Sequence, residues 1–309
     1  MDLTKGKPIE IADKPLFDEY FRKYPPEISE LTFTNLFIWR FYYNFRFLEW
    51  KNHLVLFSTD YFKTRKESIS KNKETILFYP PIGDDSVQII QELVTSLKNV
   101  EFHRVPNSIV EDLKTEKEAH LLKIVWKEDR DNSDYVYEKS KLIELSGRKL
   151  YLKRRWLKRF LEQYPDFQFH LISDEWIETC RRLQIEWCDM NECRLSEDLM
   201  EEQRAITEAL DHYPELKFRG GLLSLQGKSI AYTFGEILNP NTVVIHIEKA
   251  LKQYEGAYQA INNFFCKDCC TNAIYVNREQ DIGDPGLRQA KESYVPHHMV
   301  EKNIVYRMP

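Results

Sequence analysis

A histidine and a carboxylate share one predicted strand in the last third of the chain. The strand covers residues 242–249, where His246 and Glu248 stand among valines and isoleucines. Side chains alternate along a strand, so His246 and Glu248 are expected on one face, with Ile245 and Ile247 on the other. A histidine or a glutamate within hydrogen-bond reach of a substrate proton can act as a general base. The strand is therefore a candidate for acid–base chemistry, although a buried, hydrogen-bonded core histidine fits the same pattern.

Cationic and polar residues follow the next predicted strand. Asn277 and Arg278 end a short apolar run, and Arg288 and Lys291 lie on the helix after it. A helix is also predicted between the two strands, which favours parallel pairing with a right-handed connection and places both carboxyl ends at one edge. Ligands of open α/β sheets bind beyond such ends. These side chains are therefore predicted to bind a phosphate or a carboxylate, with a structural ion-pair network around Glu248 as the alternative.

Hydrophobic periodicity predicts the elements that position these residues. The C-terminal half reads as three strands, a helix, a strand, a helix and a strand, at residues 222–225, 229–234, 242–249, 258–267, 273–276, 285–293 and 299–308. The N-terminal half has a comparable order of helix, three strands, helix and strand, at residues 35–43, 45–50, 53–57, 75–79, 86–98 and 101–105. The chain is therefore predicted to be an α/β protein of two similar domains, residues 1–145 and 146–309.

The charge distribution changes sign near the middle of the chain. Nine lysines and arginines against Glu144 give residues 139–160 a net charge of +8, whereas residues 174–202 carry −7. The net charge of −5 excludes a globally basic nucleic-acid-binding protein but leaves room for a local patch. The basic stretch is predicted as an amphipathic helix over residues 148–159, which either contacts nucleic-acid phosphates or is a solvated face paired with the acidic segment.

Composition and cysteine usage favour a packed cytoplasmic protein. Hydrophobic residues make up 42% of the 309 residues, which supports a large core. No run approaches the ~20 apolar residues of a membrane span, and the first residues lack the apolar core of a signal peptide. The cysteines are too sparse for a disulfide framework, and the Cys266-x-x-Cys269-Cys270 group lies in an apolar helical pattern without a second ligand pair. We predict that all six are reduced and metal-free: Cys180, Cys188, Cys193, Cys266, Cys269 and Cys270.

Several short motifs resemble one known family. They are His246-Ile247-Glu248-Lys249-Ala250, Tyr254-x-Gly256-Ala257-Tyr258, Tyr275-Val276-Asn277-Arg278-Glu279, Gly286-Leu287-Arg288-x-Ala290-Lys291 and, near the N-terminus, Ser29-Glu30-Leu31-Thr32-Phe33-Thr34-Asn35. Together they resemble uncharacterised bacterial proteins related to the C-terminal domain of phosphatidylglycerol lysyltransferase. The resemblance covers most of the chain and implies two GNAT-like (acyl-CoA N-acyltransferase) folds in tandem.

The resemblance implies an acyl- or aminoacyltransferase. Lysyltransferases of this relation take an aminoacyl group from a charged tRNA and place it on a lipid headgroup, whereas typical GNAT enzymes take an acyl group from a CoA thioester. Both attack an activated carbonyl and need no metal. The implied activity is therefore transfer from acyl-CoA or aminoacyl-tRNA to an amine or hydroxyl acceptor. The alternative is a degenerate, non-catalytic GNAT module that binds a nucleotide-like ligand or RNA.

The resemblance also suggests roles for individual residues. Glu248 or His246 would be the general base, Tyr294 would protonate the leaving group unless it is ordinary core, and the strand through Ile247 and Lys249 would offer N–H groups to the carbonyl oxygen. The donor's phosphates or a carboxylate would be held by a larger set of residues: Lys249, Gln253, Gly256, Ala257, Asn277, Arg278, Arg288 and Lys291. A tRNA donor would be contacted by the basic helix through Lys153, Arg154, Arg155, Lys158 and Arg159.

One loop should distinguish the donors. The GNAT pyrophosphate loop is usually Gln/Arg-x-x-Gly-x-Gly/Ala, so that backbone amides at a helix N-terminus can hold the phosphates. Gln253 and Gly256 keep the first two elements of this pattern, but Tyr258 stands where a small residue is expected. A tyrosine there would crowd a pyrophosphate. The surroundings of this loop should therefore distinguish a CoA-dependent enzyme from an aminoacyl-tRNA-dependent enzyme or a non-catalytic module.

Overall fold

The computed structural model describes residues 1–66 and 68–308. The chain forms two compact units, the first of Met1–Asp134 with the segment from Val300 onward, the second of Tyr135–Met299. The strands are β1 (Lys7–Pro8), β2 (Arg46–Trp50), β3 (His53–Ser58), β4 (Ile76–Phe78), β5 (Val100–Pro106), β6 (Ile124–Glu128), β7 (Asp134–Glu138), β8 (Gln168–Leu171), β9 (Arg219–Leu225), β10 (Lys228–Asn239), β11 (Thr242–Ala250), β12 (Tyr275–Asn277), β13 (His298–Val300) and β14 (Lys302–Arg307).

The helices connect these strands in the alternating pattern of a mixed α/β protein. They are α1 (Lys14–Lys23), α2 (Phe33–Ile38), α3 (Arg40–Tyr43), α4 (Tyr61–Thr64), α5 (Ser86–Ser96), α6 (Asn107–Thr115), α7 (Lys117–Leu121), α8 (Lys139–Glu144), α9 (Tyr151–Gln163), α10 (Asp174–Met190), α11 (Glu197–Asp211), α12 (Tyr213–Leu216), α13 (Ala257–Asp268) and α14 (Pro285–Glu292). The predicted α/β class is therefore confirmed.

The first unit contains a seven-stranded sheet in the order β1-β2-β3-β4-β5-β14-β6. Strands β4 and β5 are parallel and are joined by α5, whereas β3 pairs with β4 in the antiparallel sense. The apolar face of α5 includes Ile90 and Leu93, which belong to one buried cluster with Phe78 and Phe102 of the two parallel strands. Burial of these large side chains is the main source of stability for this layer.

The second unit contains a seven-stranded sheet in the order β13-β7-β12-β11-β10-β9-β8. Strands β9 and β10 form the predicted hairpin, whose turn residues Gln226 and Gly227 have φ angles of 50° and 79°. Such positive values suit the tight turns of twisted hairpins. Strand β11 is parallel to β12, as predicted, and α13 makes the connection between them. The carboxyl ends of β11 and β12 therefore point the same way.

The first sheet takes one strand, β14, from a distant part of the sequence. Strand β7 follows β6 along the chain but pairs with β12 of the second sheet, and β14 lies between β5 and β6 of the first sheet. The division expected after residue 145 differs from this arrangement, and the single last strand predicted over residues 299–308 is wrong because the segment forms β13 and β14 in different sheets. Strand β14 is paired along both edges, a long-range arrangement that leaves no local signal in the sequence.

A buried ion cluster fixes β14 in the first unit. Lys302 is fully buried, and its Nζ lies 2.6 Å from Asp134 Oδ1 and 2.5 Å from Glu30 Oε2. Arg104 Nε lies 2.9 Å from the other oxygen of Glu30, and Arg104 Nη1 lies 2.8 Å from Asp129. Burial raises the pKa of Glu30, with Lys302 acting against the rise. Because charges this deep must be paired, removal of any member leaves an uncompensated buried charge.

The cysteines do not all remain free. Cys188 and Cys193 form a disulfide across the turn after α10, where their Cα atoms are 5.1 Å apart. The prediction that all six cysteines are reduced is therefore wrong for this pair, since a single local bridge needs only a turn that returns on itself and no framework of paired cysteines. The other four, Cys180, Cys266, Cys269 and Cys270, are free and buried.

Candidate functional site

Strands β11 and β12 separate at the centre of the second sheet. Their ladder pairs Thr242 with Tyr275 and Val244 with Asn277, where β12 ends, whereas β11 continues to Ala250. The second half of β11 is still paired with β10 on its other edge. A split of this kind opens the sheet at the carboxyl ends of parallel strands, where α/β proteins bind ligands.

A β-bulge in β11 changes which side chains face the split. Phe234 pairs with Ile247 and Gly235 pairs with Ile245, so His246 is an extra residue opposite β10. Gly235 permits the close approach, since a Cβ there would lie 2.0 Å from the main-chain oxygen of Val244. A bulge shifts the alternation of side chains by one residue. The shared face expected for His246 and Glu248 is therefore wrong, because Glu248 lies with Ile245 on the α13 side of the sheet.

Glu248 and Arg278 form the polar centre of the split. Arg278 Nη2 donates to Glu248 Oε1 at 2.9 Å, and Asn262 Nδ2 of α13 donates to Glu248 Oε2 at 2.7 Å. The side chains of Glu248 and Arg278 are only 11% and 14% exposed. Arg278 Nη1 is buried and has no hydrogen-bond partner within residues 1–66 and 68–308. A buried donor without a partner is energetically costly.

The ring of Tyr294 makes cation–π contacts with two side chains, Lys153 and Arg278. The Lys153 Nζ of α9 lies 4.4 Å from the ring centroid, and the Arg278 Cζ lies 4.6 Å from it. Burial raises the pKa of the Tyr294 hydroxyl well above its ordinary value, against the opposing effect of Arg278, so the phenol stays protonated. Burial, and then Arg278, lowers the pKa of Lys153. The ring of Tyr137 packs next to that of Tyr294, and their centroids are 6.4 Å apart.

His246 belongs to a different cluster. Its Nδ1 lies 2.8 Å from Glu279 Oε1 and its Nε2 lies 2.9 Å from Glu236 Oε1. Burial alone would lower the pKa of His246, but the hydrogen bonds and charges of the two carboxylates overcome that effect and raise the pKa to about 9. The imidazole is therefore charged at neutral pH, when it has no lone pair with which to accept a substrate proton.

Lys249 points away from Arg278. Its Nζ lies 2.7 Å from Glu202 of α11 and 3.8 Å from the ring centroid of Trp187 in α10. Lys249 and Glu248 are adjacent in β11 and therefore project to opposite faces, so the split brings together Glu248 and Arg278 but not Lys249. The ion pair between the buried Lys249 and the half-buried Glu202 joins β11 to α11.

The remaining residues predicted to hold a phosphate or a carboxylate stabilise the loop after β12. Arg288 makes two hydrogen bonds of 2.9 Å with Asp281, whose pKa is lowered by Arg288 against the opposing effect of burial. Lys291 Nζ donates to the main-chain oxygen of Arg278, and the buried Asn277 accepts from the main-chain N–H of Glu279 at 2.7 Å. These contacts hold the segment that carries Arg278 in place.

The loop before α13 packs directly against α9. Gly256 has a φ of 84°, and a Cβ there would lie 2.5 Å from the main-chain oxygen of Trp156 and 2.9 Å from the Cβ of Phe160. Arg159 Nη1 also bonds Glu255 at 2.8 Å. Ala257 is buried, whereas Gln253 is exposed. Helix α9 therefore covers one side of the loop in which a CoA-dependent GNAT enzyme would hold pyrophosphate.

Tyr258, the residue that departs from the pyrophosphate pattern, is anchored inside the unit. The Trp187 Nε1 of α10 donates to its hydroxyl at 3.1 Å. Burial raises its pKa, and the bonds with Trp187 and the backbone of Ala250 oppose this rise. Tyr258 therefore fills space between the end of β11 and α10.

The cations of α9 have different surroundings. Arg154 Nη1 donates to the main-chain oxygen of Leu145 at 2.7 Å, and Lys158 Nζ lies 3.5 Å from Glu162. Arg155 and Lys158 are exposed, whereas Lys153 is half-buried over Tyr294. Only part of the basic helix is therefore available to a large polyanion.

A concavity of the second unit lies along α14. It has a volume of about 510 Å³ and is lined by Gly283, Pro285, Arg288, Gln289, Glu292 and Ser293. None of Glu248, Arg278 and Tyr294 lines it. Its one arginine is committed to Asp281, so the groove adds no reactive group to the split between β11 and β12.

Among residues 1–66 and 68–308, no group of three or more His, Cys, Asp and Glu side chains is arranged to hold a metal ion. Within the same part of the chain, no helix has the length and apolar character needed to cross a bilayer.

The chain contains two mixed sheets, of which the second opens between its parallel strands, and this combination is typical of a tandem GNAT-like protein. The family model described as phosphatidylglycerol lysyltransferase, C-terminal, matches residues 21–306. The chain belongs to this family, and the resemblance noted in its motifs is confirmed.

Solved structures agree with this assignment. A conserved protein of unknown function from Bacteroides thetaiotaomicron is 31% identical, with a TM-score of 0.86 over 98% of this chain and 99% of that one. L-PGS from Bacillus licheniformis is 15% identical, with a TM-score of 0.64 over 98% and 94% of the two chains. A C-terminal domain assigned to a lysylphosphatidylglycerol synthetase of Agrobacterium fabrum is 10% identical, with a TM-score of 0.66 over 96% and 92%. The last two likenesses show the fold.

Sequence reasoning missed two residues of the split. Asn262 interrupts the apolar pattern of α13, and this buried polar residue in a core-facing position was the available signal. Lys153 was grouped with the other cations of the basic stretch, because nothing in its spacing shows that it turns inward. Its orientation depends on Tyr294, which lies far away in the sequence.

Proposed function

We propose that the second unit transfers an aminoacyl group from aminoacyl-tRNA to an amine or hydroxyl acceptor at the split between β11 and β12. Membership of a family of aminoacyltransferases supports aminoacyl transfer in general. The observation that carries the choice of donor is the packing of α9 on Gly256. A CoA donor needs the amides of this loop for its pyrophosphate, and α9 packs against one side of the loop at Gly256.

The reaction has a simple balance. The nitrogen or oxygen of the acceptor attacks the ester carbonyl of the aminoacyl-tRNA, the new C–N or C–O bond forms, and the ester C–O bond to the tRNA breaks. One proton leaves the acceptor, and one proton must reach the tRNA oxygen that departs. Positioned hydrogen-bond donors stabilise the negative charge that develops on the carbonyl oxygen between these events.

Three residues of the split suit these steps. Tyr294 is protonated at neutral pH and would donate a proton to the departing oxygen. Arg278 Nη1 is a buried donor without a partner and would contact a negatively charged group. Glu248, which holds Arg278 Nη2 at 2.9 Å, would act as a positioning residue for the guanidinium. The bulge at His246 changes the orientation of the second half of β11. The main-chain N–H groups of Ile247 and Lys249 would there donate to the carbonyl oxygen of the aminoacyl group.

Transfer can be measured directly with purified protein. The assay supplies a mixture of radiolabelled aminoacyl-tRNAs and follows the label into acid-soluble or lipid-soluble products with added small amines, peptides and phospholipids. Tyr294→Phe should lower the rate by about 10²-fold or more, the usual contribution of a positioned proton donor. Tyr275→Phe is the matched control and should leave the rate within twofold. Equal rates for Tyr294→Phe and the wild type would remove Tyr294 from the mechanism.

The choice of donor has its own test. Acetyl-CoA and a longer acyl-CoA should not raise the melting temperature of the protein, whereas a ligand that binds only the folded state raises it by mass action. Saturable stabilisation by acyl-CoA, together with acyl transfer to an amine, would overturn the tRNA donor and reinstate the CoA thioester.

The exposed part of α9 should contact the tRNA. Phosphate contacts release counterions, so binding weakens with salt, and each lost contact flattens the plot of log K against log salt by about one unit. Arg155→Glu with Lys158→Glu should flatten the slope by about two units. Arg22→Glu with Lys23→Glu, on α1, is the control pair. An unchanged slope in the α9 variant would exclude the helix as the contact.

One observation favours a second candidate, a binding module without turnover. His246 is charged, and both oxygens of Glu248 are occupied by Arg278 and Asn262. Neither of the residues expected as general base is therefore ready to accept a proton. Saturable binding of aminoacyl-tRNA without transfer to any acceptor would support this second function.

A further inference from the structure

We propose that Lys153 and Arg278 form a binding site for one oxyanion, a carboxylate or a phosphodiester, carried by the acceptor. The inference rests on the proposed function, since it names the class of molecule that receives the aminoacyl group. It concerns α9 as well as the split, because Lys153 is the member of the basic helix that turns away from solvent.

The geometry places two cations on one aromatic ring. Lys153 Nζ and Arg278 Cζ lie 4.4 and 4.6 Å from the centroid of Tyr294. The Nη2 of Arg278 donates to Glu248, and its Nη1 is buried without a hydrogen-bond partner among the residues that the structure describes. An oxygen placed against Nη1 and Lys153 would complete the hydrogen bonding of the guanidinium. Arginine and lysine in this combination are typical ligands of carboxylate and phosphate oxygens.

The local charge also favours an anion. Lys153 and Arg278 contribute two positive charges, whereas Glu248 contributes one negative charge. Tyr137, Tyr294 and Asn262 around them are neutral, and the pKa of the nearby Cys266 thiol is raised, by a hydrogen bond with Cys270 and by burial, so that it stays protonated. A buried site with one unbalanced positive charge is unfavourable unless a counter-charge enters. The lowered pKa of Lys153 agrees with a site that lacks this anion.

The amount of unbalanced charge limits the ligand. One excess positive charge matches a carboxylate or a phosphodiester, each of which carries a single negative charge. The acceptor is therefore an amine or hydroxyl compound with one such group, such as an amino acid, a peptide or a glycerophosphodiester headgroup. A neutral amine would leave the site unbalanced.

NMR can measure binding at the ring itself. Protein with ¹³C-labelled tyrosine is titrated with acetate and, separately, with dimethyl phosphate at constant ionic strength, and the Tyr294 signal is assigned with Tyr294→Phe. One of the two probes should shift this signal saturably. Lys153→Met should weaken binding about tenfold or more, as expected when a charge-assisted hydrogen bond is lost. Lys153→Arg keeps the charge and should bind within a few-fold of the wild type.

The matched control is Lys267→Met, the same substitution on an exposed lysine of α13, which should bind as the wild type does. No saturable shift with either probe, or equal binding by Lys153→Met and the wild type, would overturn the inference. The probe that binds identifies the oxyanion, and glycerophosphoglycerol against phosphatidylglycerol vesicles then separates a free phosphodiester from a lipid headgroup. Oxyanion binding without aminoacyl transfer would refute the proposed function alone, whereas transfer without oxyanion binding would refute this inference alone.

Discussion

Gly256 and Trp156 are in contact through their backbones. A Cβ on Gly256 would lie 2.5 Å from the Trp156 main-chain oxygen, a distance that real Cβ atoms essentially never show. The contact ties the start of α13 to the middle of α9, and it brings the Lys153 of α9 to the ring of Tyr294. The position of the basic helix is therefore set by a glycine about 100 residues further along the sequence.

The Gly256→Ala variant should be strongly destabilised. Alanine at a φ of 84° is strained, and its methyl group would clash with backbone that cannot move without displacing α9. We expect a loss of about 3 kcal/mol or more in the free energy of unfolding, measured by urea denaturation. Gly227→Ala is the control, because that residue has a φ of 79° and open space around it, and it should lose only about 1 kcal/mol. Equal losses of unfolding free energy in Gly256→Ala and Gly227→Ala would mean that α9 does not pack tightly against Gly256.

His246 should make stability depend on pH. Its pKa is raised from 6.5 to about 9 in the folded chain, so its contribution is complete below pH 6.5 and is lost as the pH rises through 9. The contribution is about 3 kcal/mol, from the free energy of each pKa unit. Urea denaturation between pH 6 and pH 9.5 should show this decline in the wild type but not in His246→Gln. His120→Gln, on an exposed histidine, is the control and should decline as the wild type does.

Lys302→Met should be among the most destabilising single changes in the first unit. It removes the ammonium group that lies between the buried Glu30 and Asp134, while Arg104 stays 2.9 Å from Glu30. Loss of one member of a buried ion pair typically costs about 3 to 5 kcal/mol at pH 7. The pKa of Glu30, already raised by burial, should rise further in the variant. Its loss of stability relative to the wild type should therefore be smaller at pH 5 than at pH 7, because the folded variant takes up a proton as the pH falls. Lys127→Met, on an exposed lysine of β6, should change stability by less than about 0.5 kcal/mol.

Thiol titration can establish the state of the cysteines. Ellman's reagent should find four thiols in the unfolded, unreduced protein and six after reduction, since only Cys188 and Cys193 are bridged. The native protein should react slowly, because its free thiols are buried. Reduction should lower the free energy of unfolding by about 2 kcal/mol, as expected for a short closed loop. The Cys188→Ser, Cys193→Ser double variant should match the reduced wild type, and six thiols without reductant would contradict the bridge.

Local elements could be predicted from the sequence because their hydrophobic period is clear. The helix predicted over residues 86–98 is α5 (Ser86–Ser96), and the strand predicted over 242–249 is β11. The parallel pairing of β11 with β12 followed from the helix between them. These features depend on residues that are close together in the chain.

The rest depends on contacts between distant residues. The bulge at His246 results from the register of β10 and β11, of which Gly235 was the only local sign. The inward turn of Lys153 requires Tyr294, and the place of β14 requires the ion cluster around Lys302. The pairing of Glu248 with Arg278 was expected as one of two readings, but the separation of His246 from Glu248 could not be foreseen without the bulge.

The position of β14 at residues 302–307, far in sequence from the other strands of its sheet, affects how the protein is made. Ribosomes extend a chain from its N-terminus, and most domains fold as soon as they emerge. Here the first sheet lacks the strand between β5 and β6 until residues 302–307 have been synthesised. Until Lys302 arrives, Glu30 and Asp134 have no cation between them and β5 presents an open edge, which is the kind of surface that chaperones bind and that promotes aggregation. The first unit, although translated first, is therefore the last to be completed.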